Sequence, residues 1–376
     1  GTATAQVLAE QLSLNTLHGD VGTASLALRI DLQGSAASLS GQVRGAAYLT
    51  ELSDDLLLKR LRVSGLASLS TLSGSILGVS QAGFADLQAD SVELVSSAEI
   101  GAEDDALVLS TLGLSATGVG QVLIDTQGAV SLNALVASGA NAVASVNARG
   151  NLALAGTLYS AGSLSLNARG ELTQSVDSVV TAAGTLSLQS VRGSITQAAG
   201  ASLTGQGVTL DAGAGMALGS VSAGTGLLSL TARAGSLTDA DTTDSTDLSG
   251  ASVWISASES IGENLLAGGR VGEGGLATNA LDLNTATVSA VSAGNMRLAN
   301  SGSLTVGSIS GSVGLVSLAG GGIALTVQGD RLTIAADAQV HAVQDGKIAL
   351  SVGNLDGTSV LSIEGLVHAD QGGVNT

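Results

Sequence analysis

Between Gly162 and Thr238 apolar and polar residues alternate in short runs, most of them closed by glycine. The runs read Leu164-Ser-Leu166-Asn-Ala168, Leu186-Ser-Leu188-Gln-Ser190, Val208-Thr-Leu210-Asp-Ala212 and Leu228-Ser-Leu230-Thr-Ala232. Alternation with period two places Leu164, Leu166 and Ala168 on one face of a strand and Ser165, Asn167 and Arg169 on the other. The second leucines fall at 166, 188, 210 and 230, in steps of 22, 22 and 20 residues. A period near 20 built on strands predicts a strand solenoid. The four leucines should then stack in one interior column. The chain would make about 17–19 coils of roughly 20–22 residues.

The alternation extends in both directions. Residues 1–90 hold less regular coils, and 91–365 hold the clearest repeats. The run from Asp55 to Val63 has a spacing that a short helix could use. We read it as strand, because Leu61-Arg-Val63-Ser-Gly65-Leu66 continues the alternation. A longer period overlies the short one. Ser91-Val92-Glu-Leu94 through Glu99-Ile100-Gly101 recurs at an offset of 161 as Ser252-Val253-Trp254-Ile255 through Glu259-Ser-Ile261-Gly262. A looser copy ends at Val21-Gly22, which points to duplication of multi-coil cassettes. No linker or change of composition divides the chain. Residues 1–376 read as a single continuous all-β solenoid, and the start at Gly1 reads as a segment of a longer repeat protein.

Composition sharpens this picture. Average usage would give about 5% proline and 7% glycine, yet the chain has no proline and 53 glycines. Proline removes a ladder donor and is kept out of central strands. With one Phe, one Trp and two Tyr, the core must be built from Leu, Val, Ile and Ala. Serine and threonine are expected at outward strand positions and turns. The absence of cysteine excludes disulfides and cysteine-bound metal. A formal charge of −18 argues against nucleic acid and anionic membranes as partners. No uncharged apolar run is long enough to suggest a spanning helix, so direct membrane insertion is not expected.

Repeats of the form Gly-x-Leu-x-Leu-x-Ala-x-Gly, with Ser-Ile-Gly turns between them, resemble those of filamentous-haemagglutinin-type exoproteins, giant bacterial surface adhesins. The resemblance covers most of residues 90–365. It implies a right-handed parallel β-helix, an extracellular or cell-surface location, and work in adhesion, matrix or biofilm.

Candidate chemistry is sparse. Polysaccharide lyases and hydrolases need paired carboxylates, or carboxylates with basic groups, converging on one face. The three histidines, His18, His341 and His368, are far apart in sequence, and His341 reads as a surface turn residue rather than a base. Tyr48, Phe84, Tyr159 and Trp254 are isolated and do not suggest sugar platforms. Asp239, Asp241, Asp244 and Asp247 form the densest acidic loop and are the one candidate Ca²⁺ site, since alternating acids can supply hard oxygen ligands. The loop lacks the turn glycine and bidentate Glu of an EF-hand, so a solvated acidic turn is the simpler reading. Glu103-Asp104-Asp105 and Asp54-Asp55 are weaker. Gly268 to Gly275 is rich in glycine but carries no phosphate-loop signature. Asn133, Asn147, Asn167 and Gln189 follow strand leucines and predict a partial outward amide ladder.

These observations favour a non-enzymatic structural shaft of an extracellular adhesin or fibre. Its partners would be further repeats or other copies of itself end to end, and possible host or matrix glycans. A β-helical polysaccharide-degrading enzyme or a carbohydrate-binding module is the alternative. No catalytic residue, cofactor site or metal site beyond the weak Ca²⁺ candidate is expected.

Overall fold

The computed structural model describes residues 4–240, 245–262, 280–344, 346–353, 358–370 and 373–375. Among them there is no helix. Parallel strands stack as a β-solenoid of about 15 turns with ~22 residues per turn. The turn count is below the 17–19 expected because several coils exceed the short period. Ile255 pairs with Ala290, 35 residues on, and Val340 with Val367, 27 residues on. The run from Asp55 to Val63 is a strand, Leu56–Val63, as the alternation required.

The chain divides into two compact units: Gly1–Leu172 with Ser178–Thr185, and Thr173–Asp177 with Leu186–Thr376. In the first unit one interior column runs Leu49, Leu69, Leu94, Ala116, Leu135, Leu158, Val180. Leu166 belongs to a second column there, stacked on Val146 and Ile124. In the second unit Leu188, Leu210 and Leu230 stack as the spacing predicted. Their column continues through Ile255, Ala290, Leu315, Val340 and Val367. Nearly every member is fully buried. Burial of a Leu or Ile side chain contributes about 1.5–3 kcal/mol, so repetition of one inward position stabilises each coil through its two neighbours.

The long sequence repeat becomes a repeated turn. Gly22, Gly101 and Gly262 have φ of 72°, 71° and 81°. A Cβ at these positions would meet the carbonyl of Tyr48, Leu123 and Arg297 respectively, each on the adjoining coil. The preceding Val21, Ile100 and Ile261 bridge in parallel to Ala47, Val122 and Met296. Glycine is required here twice over, by the left-handed backbone and by the close approach.

Outward placement holds for Ser165, Ser187 and Thr209, while a group of strand-ending hydroxyls departs from it. Ser96, Thr126, Ser160, Ser292 and Ser317 end strands at buried inward positions. Their hydroxyls donate to carbonyls two to four residues ahead, at Glu99, Gly128, Ser163, Gly294 and Gly321. A short hydroxyl side chain at the corner satisfies a backbone acceptor that the turn has taken out of the ladder.

Candidate functional site

Strand pairing in the second unit brings together groups that are remote in sequence. His341 lies on the strand Gln339–Ala342 and His368 on Leu366–Ala369, directly in register. Both occupy outward positions, because Val340 and Val367 between their neighbours point inward. Val316 sits one coil below His341 at the same position and is buried, giving the pair an apolar floor. Asp370 follows the second strand, held by its N–H donating to the Ala342 carbonyl at 3.0 Å. One carboxylate oxygen, Asp370 Oδ1, lies 2.6 Å from His368 Nε2 and 3.4 Å from His341 Nε2. The ring centroids are 5.3 Å apart with a 46° tilt, so the imidazoles splay rather than stack. Side-chain exposure is 25% for His341, 55% for His368 and 38% for Asp370, leaving the group open on one side. A groove of about 400 Å³ lies beside it, lined by Asp337, Gln339, Glu364 and Leu366 among others.

This convergence was missed by reading His341 as a turn residue. It is a strand residue in register with a second histidine. The signal was present, because Val340-His341-Ala342 repeats as Val367-His368-Ala369 at one coil's spacing. His18 is exposed and belongs to the first unit.

Of the Ca²⁺ candidates, Asp241 and Asp244 lie outside the described residues, as does the glycine-rich run 268–275. Asp239 ends the strand Leu237–Asp239. Asp247 is buried, and its Oδ2 accepts the Asp282 N–H at 2.9 Å. One of its two carboxylate oxygens is thus engaged by the neighbouring coil.

The outward amide ladder is present in the first unit with a different head. Asn167 Nδ2 donates to Asn147 Oδ1 at 2.7 Å, and Asn147 Nδ2 donates to Asp125 Oδ1 at 2.9 Å. Asn133 belongs to another strand, where it accepts from Ser131 Oγ at 3.3 Å. Gln189, in the second unit, is in register with Asp211, which Arg233 grips with two hydrogen bonds of 2.7 and 2.6 Å. That hydrogen bond holds the Arg233 guanidinium above its ordinary value. A second ladder is internal. Gln197 Nε2 donates to Gln174 Oε1 at 2.9 Å, and Gln197 Oε1 accepts the N–H groups of Gly219 and Ser220. Both glutamines are buried.

One buried carboxyl stands apart. Glu51 is fully enclosed in the first unit. Burial pushes its carboxyl up from 4.5 to about 7, aided by the charge of Asp31 and opposed by backbone hydrogen bonds from Leu32, Ser53 and Leu52.

Among the described residues the remaining surface offers little chemistry. A groove of about 560 Å³ in the first unit is lined by Arg62, Gln88, Asp90, Ser110 and Thr111 among others, and no aromatic residue lines it. Phe84 carries the Arg60 guanidinium 3.5 Å above its ring, while Trp254 sits at an outward position between buried Val253 and Ile255. Among the described residues no helix is long and apolar enough to cross a membrane. No protein family profile, curated protein or solved structure matches this chain.

Proposed function

We propose that the protein is a non-enzymatic structural shaft of a bacterial extracellular adhesin or surface fibre, of the filamentous-haemagglutinin kind that its repeats resemble. The observation that carries this reading is the interior column from Leu188 to Val367, in which each coil is held by the coil before and after it. Such a chain gains length with each added coil and needs no other part to do so. Glycans of a host or matrix are the partners that such a shaft would present itself to. The polar grooves, free of aromatic platforms, favour a supporting role over sugar capture.

The convergence of His341, His368 and Asp370 beside a groove supports a second reading, a β-helical polysaccharide-degrading enzyme. It offers one carboxylate where glycoside hydrolysis ordinarily uses a pair, which weighs against it. Two measurements separate the readings. Antibodies against residues 1–376 should label intact source cells, and external protease should remove the signal. A panel of acidic and neutral polysaccharides should release no new reducing or unsaturated ends on incubation with the protein. Confinement of the protein to the cytosol would overturn the shaft reading. Cleavage that is lost in His368→Gln would replace it with the enzyme.

A further inference from the structure

We propose that His341, His368 and Asp370 form a binding site for one divalent transition-metal cation of the zinc class, which clips two adjacent coils together. The candidate ligand atoms all lie within 4.8 Å of one another. Both Nε2 atoms already lie within 3.4 Å of the same carboxylate oxygen. Zinc bound by imidazole at about 2.0–2.1 Å and carboxylate at about 2.0–2.2 Å brings tetrahedral ligands to roughly 3.3–3.5 Å from one another. Rotation about the χ angles of the more exposed His368 and Asp370 supplies that adjustment while the strands stay paired.

The donor set selects the class of ion. Imidazole suits zinc, copper, nickel and iron, whereas calcium and magnesium take oxygen ligands. Two neutral nitrogens and one anionic oxygen leave a fourth position facing solvent, where water completes the shell. The site is thus distinct in chemistry and place from the acidic loop around Asp239 and Asp247. Among the described residues no other group of three histidine or carboxylate ligands converges in this way.

The site also has a structural consequence. His341 and His368 sit on strands joined by a single ladder, Gln339–Ala342 with Leu366–Ala369. Inward residues of the upper strand are only partly covered, unlike those of the strand beneath. A cation held by both strands and by Asp370 ties the less covered strand down. Binding is then linked to closure of that strand and suppresses its opening by the factor one plus the ratio of free metal to its dissociation constant.

The test uses residues 1–376 and Zn²⁺ alone. Calorimetric titration should give one saturable site per chain. His341→Gln and His368→Gln should each weaken it by at least about tenfold, since loss of an outer partner alone ordinarily costs that much. The double variant, which keeps only His18, should lose it. Excess Ca²⁺ or Mg²⁺ should not compete. At free zinc about a hundred times the dissociation constant, exchange of the amides in 366–370 should slow by up to about a hundredfold in the parent protein, and not in His368→Gln. Absence of a saturable site in the parent, or an undiminished site in the double variant, would overturn the proposal. Zinc binding without slower exchange would overturn the clip. Because the parent titration needs no variant to fold, the result stands whatever the substitutions do to stability.

Discussion

Glu51 provides the sharpest test of the interior. It is a carboxyl in a column of inward residues, paired with Ile30 on one coil and Thr71 on the other. Its Oε1 and Oε2 each lie 3.2 Å from the Leu32 N–H, and Oε1 also accepts from Leu52 N–H at 3.1 Å. These bonds do not offset the loss of water, and the carboxyl titrates near 7 rather than 4.5. Below about pH 4.5 the group is neutral in folded and unfolded chains and costs nothing. Between 4.5 and about 7 the unfolded chain releases the proton while the folded chain keeps it, so stability falls as pH rises. Above about 7 the folded state carries the buried charge and the full cost, about 3 kcal/mol for that displacement. In Glu51→Gln the side chain stays neutral and its oxygen still accepts from Leu32 and Leu52. Urea unfolding followed by circular dichroism at about pH 4.5 and about pH 8 gives the comparison. The stability of the variant relative to the parent should rise by about 3 kcal/mol across that interval. Any constant offset from the new amide cancels in the difference, and repulsion among the other acids is common to both proteins. Hydrogen exchange of Ala47–Glu51 places the effect in the first unit. Parallel pH profiles for the two proteins would refute the reasoning.

Three further outcomes follow from the packing and charge. Leu210→Ala, at the centre of the Leu188–Leu230 stack, should cost about 2–5 kcal/mol in denaturant unfolding, against a near-neutral effect for the outward Thr209→Ala. Gln197→Ala should cost roughly 1–3 kcal/mol, because the buried Gln174 Oε1 loses the donor at 2.9 Å and the part-buried amides of Gly219 and Ser220 lose their acceptor. With a charge of −18, the protein should show no binding to duplex DNA or anionic vesicles at physiological salt in a direct titration.

The alternation of Leu164, Leu166 and Ala168 made the strands legible, and the step from Leu188 to Leu210 to Leu230 made their stacking legible. Both depend on a period that sequence displays directly. Coil length beyond Leu230 was less legible, because the 35-residue step from Ile255 to Ala290 and the 27-residue step from Val340 to Val367 depart from the short period while the residues at both ends of each step stay inward. The strand-ending hydroxyls of Ser160 and Ser317 were not legible, since serine suits an outward strand position and an inward corner equally well by composition. The histidine pair was overlooked for a related reason. His341 and His368 are 27 residues apart, and only the register of their strands makes them neighbours. The repeated Val-His-Ala and the Leu/Ile-Thr-Gln of Gln174 and Gln197 show what to look for, a polar residue recurring at coil spacing.

The shaft role proposed above rests on coils that hold one another by stacking. Ile334 is fully buried, while Ile363, stacked on it in the coil above, is 45% exposed. Val360 and Leu366 on the same coil are also uncovered. Among the described residues, the strands Val360–Ile363 and Leu366–Ala369 pair on one side only. An uncovered strand with an apolar inner face templates further pairing. Sedimentation velocity of residues 1–376 over a wide concentration range, with electron microscopy of the same samples, measures this directly. The account predicts concentration-dependent growth into filaments one solenoid wide, and suppression of that growth by Ile363→Glu. A strictly monomeric protein at every concentration, or association that Ile363→Glu leaves unchanged, would contradict it.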